Sequence, residues 1–411
     1  MKLALSIARR YLLAKKTQNV INIISMISAA GVFTASMALL IVLSVFNGLH
    51  GFIGDLYGTF DPDLKLIPAS GKVISLDTID YQSIVDTEGV EVISKSLEDR
   101  ALLKFSKRSA PGLILGVDSS FNTVSNIDSI IVNGVFQVKH KNENRAVIGS
   151  ILADQLALRL NFVSPLSIIA PKRTNRIQSM PSQNTINTEY VNPTGIFSVR
   201  QSEYDGQYVI INLQQAQKLF QYDSTVVSAL NLKVSTHNID EVQSHLQQIV
   251  GDKMIVQNRE QQHAAFFKMM KIEKFVAYLI LSFIMMIAAF NVIGTISLLI
   301  FEKKESIFTL KSMGASRQLV TRIFLFEGLL ISLLGVILGL IFGILLVAVQ
   351  QHFGLIKFGS GGSYLIEAYP VKLVGIDILY VLLTVTSIAF IAAWYPVRVI
   401  VRRYFTESGM P

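Results

Sequence analysis

The segment Glu302–Arg322, EKKESIFTLKSMGASRQLVTR, decides how this chain must be read. It is short and basic, and it sits between two apolar runs, Phe275–Phe301 and Ile323–Gln350. Two more such runs lie at Val20–Phe46 and Val374–Val397. A bilayer core of about 30 Å takes about 20 helical residues at about 1.5 Å each, so all four runs are long enough to span it. Inside them the charged residues are Glu327 and Asp377, both near a span end. A charge at the bilayer centre costs about 2.5–3.5 kcal/mol, so both carboxylates are expected to reach headgroups and water rather than to form an ion pathway.

Orientation follows from the basic residues beside the spans. Lys2, Arg9, Arg10, Lys15 and Lys16 precede the first span. Lys303, Lys304, Lys311, Arg317 and Arg322 lie between the second and third, and Arg398, Arg402 and Arg403 follow the fourth. Counting spans puts all of these on one side, which the positive-inside rule makes cytoplasmic, together with both terminal segments. The long segment 47–271 carries 21 basic and 22 acidic side chains, so the formal charge of +8 belongs to the flanks of the spans. Such a distribution points to anionic lipid and topology, not to nucleic acid. Arg9–Lys16 followed by an apolar run resembles the start of a signal peptide. Its apolar run far exceeds the usual 7–15 or so residues, and no small-x-small cleavage site closes it, so it is read as a retained anchor. With 0 Cys the chain has no disulfide or thiolate metal site, and the long segment must be held by its own core.

Within that segment the composition becomes that of a soluble α/β domain. Asn238 opens a run with Val242, Leu246, Ile249 and Val250 on one face and Gly251 after it, which predicts a helix, with a strand following at Met254–Val256. Tyr208–Ile211 and Arg145–Gly149 read as strands, each leading into a helix, Leu213–Phe220 and Ile151–Leu158. Pro171–Pro193 is polar and poor in apolar residues, and is expected to project as a loop or hairpin. Gln257–Lys274 reads as a helical extension of the second span. No GxxxxGK[ST] motif occurs, since Gly71-Lys72 lacks the upstream glycine and is followed by Val73. Gly359–Ser363 reads as a flexible turn, and the six His residues show no ligand spacing with a carboxylate. No catalytic or metal constellation is therefore expected on this chain.

Between the second and third spans, Glu305–Met313 predicts a short helix closed by Gly314, with Ile307, Leu310 and Met313 at spacing three and Glu305 and Lys311 at the rim. Such a helix suits a groove on a partner protein, and it also suits the headgroup surface.

The stretch from Glu302 to Gly339 resembles the FtsX/MacB-type permeases of the ABC transporter superfamily. More narrowly, SVFNGLHGF at 44–52, KIEKFVAYLI and AAFNVIGT within 271–295, AVIGSILADQLAL from Ala146 and MPSQNTINTEYVNPTGIF from Met180 are similar to the lipoprotein-releasing permeases of the LolC/LolE family. The resemblance implies an α-helical membrane protein of four transmembrane helices with a large extracytoplasmic α/β domain, a MacB-like porter part carrying an inserted β-rich part. It implies a cytoplasmic segment at 1–19, spans at 20–46, 272–301 (with its stem), 323–350 and 374–397, a periplasmic core domain at 47–271, a coupling helix at 302–322, a short periplasmic loop at 351–373 and a cytoplasmic tail at 398–411.

Function is likewise implied. The chain would be a non-enzymatic permease subunit in the bacterial inner membrane, paired with a second permease of the same or a homologous chain. Two copies of a separate ABC ATPase would bind the ATP and Mg, leaving no cofactor on this chain. The cargo would be a lipoprotein, passed to a periplasmic lipoprotein chaperone. Residues implied for ATPase coupling are Glu305, Ile307, Leu310, Lys311, Met313 and Gly314. Those implied for a chaperone-binding hook are Arg173, Asn175, Arg176, Ile177 and Met180. A cargo cavity would be lined by Met37, Leu40, Val42 and Phe46 of the first span and Phe283, Met286 and Phe290 of the second. Asn47 and Asn291 are read either as cargo contacts or as helix-to-helix hydrogen bonds. A MacB-like efflux permease and an FtsX-like activator of a cell-wall hydrolase are the alternative functions.

Overall fold

The computed structural model describes residues 2–13, 19–58, 60–140, 143–160, 164–173, 186–235, 238–357 and 368–406. Its contacts divide the chain into two units, Met1–Phe52 with Ala265–Pro411, and Ile53–Ala264. In chain order the helices are α1 (Lys2–Leu13), α2 (Asn19–Gly58), α3 (Tyr81–Val85), α4 (Phe121–Ser125), α5 (Ser150–Leu156), α6 (Ser202–Asp205), α7 (Leu213–Phe220), α8 (Ile239–Val250), α9 (Arg259–Gln262), α10 (Ala264–Glu302), α11 (Lys304–Ser312), α12 (Arg317–Phe353) and α13 (Gly375–Thr406).

The strands are β1 (Leu64–Pro68), β2 (Ile74–Ser75), β3 (Val90–Phe105), β4 (Arg108–Val117), β5 (Ile131–Gly134), β6 (Lys139–His140), β7 (Glu143–Gly149), β8 (Leu166–Pro171), β9 (Ile186–Phe197), β10 (Tyr208–Asn212), β11 (Val226–Val227), β12 (Ala229–Val234) and β13 (Met254–Asn258). Among the described residues one 11-stranded sheet runs in the order β13-β1-β12-β3-β4-β10-β7-β9-β5, with β6 on β7 and β8 joining β3 to β9. It is mixed: β10 lies parallel to β4 and β7 parallel to β9, while the other pairs are antiparallel. The 16 residues of β3 pair first with β12 and then with β4 and β8, so a single strand serves two apolar clusters. One cluster packs Leu64, Leu66, Leu230 and Leu232 under Val242 and Leu246 of α8. The other packs Leu103, Ile114, Ile148, Ile168 and Ile211 under Leu152 of α5 and Leu219 of α7.

The amphipathic helices form where their periodicity predicts them. α8 buries Val242, Leu246 and Val250 and ends at Gly251, whose φ of +55° suits a residue without Cβ. α7 starts at Asn212, whose side chain accepts from Gln214 N–H. Two expectations are corrected. Pro171–Pro193 is not one projecting loop, because β9 begins at Ile186 and pairs with β8 from Pro171↔Ile186 to Leu166↔Val191. Strand continuity survives Pro193 through a register shift on β7, at which Pro193 faces Ala146 and Gly195 faces Val147. Thr194, the extra residue, donates its hydroxyl to the Gln137 and Ala146 carbonyls. The extension expected at Gln257–Lys274 is also interrupted. Gln257 and Asn258 end β13, and a capping box between Asn258 and Gln261 starts the separate helix α9 before α10.

In the other unit, α2, α10, α12 and α13 are each long and apolar enough to cross a membrane. Apolar side chains gain nothing by leaving lipid for one another, so close packing must hold such helices together. Gly335, Gly339 and Gly343 of α12, spaced by four, let the backbone of α2 come close. A Cβ on Gly339 would lie 2.5 Å from Ser36 Oγ and 2.6 Å from the Phe33 carbonyl, and one on Gly335 would lie 2.8 Å from the Ala29 carbonyl. Around this seam Val32, Leu39 and Leu43 of α2 are buried with Val292 and Ile296 of α10 and Val385 of α13.

Gly339→Leu should force α2 off this seam at a cost of about 1–3 kcal/mol, seen as a fall of roughly 3–10 °C in the unfolding midpoint of the detergent-purified protein. Gly294→Ala, whose Cβ would meet nothing within 4 Å, should leave the midpoint unchanged.

Candidate functional site

The connection between α10 and α12 folds as α11, which Lys303 precedes and Met313 follows. Gly314 adopts a φ of +85° and turns the chain, and Ser316 caps α12 by accepting from Leu319 N–H. The apolar face expected at Ile307, Leu310 and Met313 is divided. Ile307 is 3% exposed and joins the apolar core of the helical unit, so it is not available to a partner. Met313 is 79% exposed, Leu310 is half-buried, and Phe308, which the sequence reading passed over, is 63% exposed. Glu305 is exposed and Lys311 half-buried. Spacing three joined residues of two sides, because α11 anchors itself by Ile307 while Met313 stays outside. The outward apolar pair is therefore Phe308 and Met313, five residues apart.

In the sheet domain, the residues implied for a chaperone-binding hook begin just after β8. Arg173 is held there: the guanidinium lies 3.5 Å from the Tyr222 ring centroid and 3.9 Å from Asp99, and the backbone N–H of Arg173 donates to Gln221 Oε1 at 3.1 Å. Asn175, Arg176, Ile177 and Met180 lie outside the described residues.

Among the span residues, Leu40 is fully buried against the Gly343 position of α12, so it belongs to the chain's own helix core and offers no outward surface. Met37, Val42 and Phe46 are half-buried. Phe283, Met286 and Phe290 are 60%, 48% and 65% exposed and share with Ile280 and Ile287 the face of α10 opposite the buried Met285, Ala289 and Val292. Asn291 is exposed, and its backbone carbonyl accepts from Ser28 Oγ at 3.0 Å.

Asn47 has another role. Its amide donates to Asp377 Oδ2, its carbonyl accepts from Lys274 Nζ at 2.7 Å, and Lys274 reaches Asp377 at 3.2 Å. Three side chains thereby close a polar triad between α2, α10 and α13. Asp377 is 3% and Glu327 1% exposed, which corrects the expectation that both reach water at a span end. For Asp377 the reason is the triad: a partnered carboxylate can be buried where a lone one could not.

Residues 278–405 match the family described as FtsX-like permease C-terminal. Over 395 residues the chain is 23% identical to the lipoprotein-releasing system transmembrane protein LolC of Buchnera aphidicola subsp. Schizaphis graminum, covering 95% of this chain and 96% of that one. It is 22% identical over 408 residues to the lipoprotein-releasing system transmembrane protein LolE of Haemophilus influenzae, covering 95% of each. The periplasmic region of MacB from Actinobacillus actinomycetemcomitans aligns with 49% of this chain and 91% of its own length at 8% identity and a TM-score of 0.34.

Asp377→Ala leaves Lys274 facing a buried gap and should destabilise the helical unit by about 3 kcal/mol, at the low end for such pairs because Lys274 is one-third exposed. The double variant Lys274→Met/Asp377→Leu should recover most of that loss, and a double-mutant cycle on unfolding midpoints measures the coupling.

Proposed function

We propose that this chain, a member of the LolC and LolE family of FtsX-like permeases, is the permease subunit of a lipoprotein-releasing ABC transporter. The observation that carries this reading is the correspondence with LolC along 95% of the chain, which takes in the sheet domain as well as the helices. A match confined to residues 278–405 would have fitted any FtsX-like permease.

In this reading α11 and both terminal segments lie in the cytoplasm and the sheet domain in the periplasm, an orientation supported by the basic flanks of the four long helices. Two ABC ATPase subunits, which bind the ATP and Mg, work beneath a pair of permeases made of this chain and a second copy or a homologue. On α11 the exposed Phe308 and Met313 enter the ATPase groove, with Glu305 at the rim. Gly314 and the capped start of α12 make that helix short and stiff, so displacement by the ATPase is passed on rather than absorbed.

The exposed face of α10 at Phe283, Met286 and Phe290 lines a chamber for the lipoprotein acyl chains, to which Met37, Val42 and Phe46 contribute from α2. Each CH₂ buried there gains about 0.8 kcal/mol, so several acyl chains are held too firmly to leave without work. The segment that follows β8, which begins with Arg173 held by Tyr222 and Asp99, binds a periplasmic lipoprotein chaperone. Asn47, held in the triad, orders the helix ends and does not touch cargo.

Purification of the chain from its native membranes should bring down an ABC ATPase together with acylated lipoproteins, as read by mass spectrometry. An ATPase accompanied by a cell-wall hydrolase or an efflux adaptor, without lipoprotein, would overturn the reading. Glu305→Lys should leave the complex assembled but lower lipoprotein release per ATP hydrolysed at least tenfold, and unchanged release would remove α11 from the coupling route.

A further inference from the structure

The two chain connections of the sheet domain meet at one carboxylate. Asp61 follows the end of α2 by three residues, and His263 separates α9 from α10. His263 Nε2 lies 2.7 Å from Asp61 Oδ2. Tyr204, on α6 in the body of the domain, donates its hydroxyl to both Asp61 oxygens at 2.9 and 2.8 Å, and the same hydroxyl lies 3.0 Å from His263 Nε2. Tyr57, in the last turn of α2, stacks on the His263 ring with centroids 3.8 Å apart at 23°. Outside this centre Gln262 donates to the Pro62 carbonyl at 3.2 Å, and Arg259 pairs with Asp63 at 2.8 Å.

The centre is dry. Asp61 is 6% and Tyr204 4% exposed, and Phe60 packs on the Tyr204 ring with centroids 4.6 Å apart. Burial first, and then the Asp61 charge, push the Tyr204 phenol far above its ordinary range, so it remains a proton donor to the carboxylate. A buried charge of this kind is seldom the most stable way to fill such a space, since apolar side chains of equal volume do as well or better. What it supplies is direction: one acceptor fixes two donors, Tyr204 and His263, and aromatic faces from three separate chain segments at a single point.

We propose that Asp61 is the positioning residue of a force-transmitting knot. It ties the end of α2, the approach to α10 and the body of the sheet domain together through Tyr204, so that movement of either helix turns the domain as one piece. Without it, the 58–63 and 258–264 connections would bend and absorb the movement. This rests on the reading that ATPase work reaches the domain through the spans.

The test uses the complete ATPase–permease complex in lipid nanodiscs, with lipoprotein released and ATP hydrolysed measured together. Asp61→Asn and Tyr204→Phe should each lower release per ATP about tenfold, with ATPase rate within twofold of the unchanged complex and unchanged protease resistance of the domain. The chain has 0 Cys of its own, so Tyr57→Cys/His263→Cys can be added to Asp61→Asn and bridged with a short bis-maleimide. Bridging should restore release per ATP. Retention of coupling in both Asp61→Asn and Tyr204→Phe would overturn the knot, as would a domain made protease-sensitive by both, which would assign these residues to folding alone. If the unchanged complex releases no lipoprotein, the functional reading fails instead. The knot is then judged by spin labels at Ser224 and Ser312: a nucleotide-driven distance change present in the unchanged complex and kept in Asp61→Asn would overturn it.

Discussion

Close approach of α2 to α12 is the constraint on which the helical unit depends. Three glycines one turn apart remove the side chains that would otherwise stand between the helices, and Ser36 and the carbonyls of Ala29 and Phe33 occupy that space. Lipid offers no hydrophobic reward for burying leucine, so the many contacts made possible by this approach supply the cohesion that water would supply to a soluble protein. The seam also dictates what is left over. With Leu39, Leu40 and Leu43 committed to the core, the large apolar residues of α10 at Phe283, Met286 and Phe290 remain on the outside.

Two of the buried carboxylates in this protein each join distant segments. Asp377 collects Asn47 and Lys274 from two other helices, and Asp61 collects Tyr204 and His263 from two other parts of the domain. In both places the carboxylate is almost fully covered. A machine that must transmit movement without bending has a use for such junctions, because a hydrogen-bonded charge resists displacement in a defined direction whereas an apolar contact slides. The proposed division of labour follows: α11 receives the work, the spans carry it, and the sheet domain delivers it.

How much of this was legible in the sequence depended on the range of the interaction. The spans could be read from length and hydropathy, and α7, α8, β10 and β13 from local periodicity and caps, all of which are encoded within a dozen or so residues. The seam had a readable signal in the spacing Gly335, Gly339, Gly343. The triad and the knot had none: Asn47 and Asp377 are 330 positions apart, and Asp61 and His263 are 202 apart. Local reading also failed at α11, where burial of Ile307 in the bundle decides that Phe308 points out. It failed again at β9, where polar residues and Pro193 concealed a strand whose pairing comes from β8 and β7. The family resemblance, not the residue chemistry, supplied the cargo.

The proposed function requires this chain to make ATP hydrolysis move a lipoprotein. Proteoliposomes containing the chain, its ATPase and an acylated lipoprotein should release that lipoprotein to a soluble lipoprotein chaperone outside when ATP is supplied. Release should stop with a non-hydrolysable analogue or without the chaperone. Steady ATP hydrolysis with the lipoprotein left in the membrane would contradict the account.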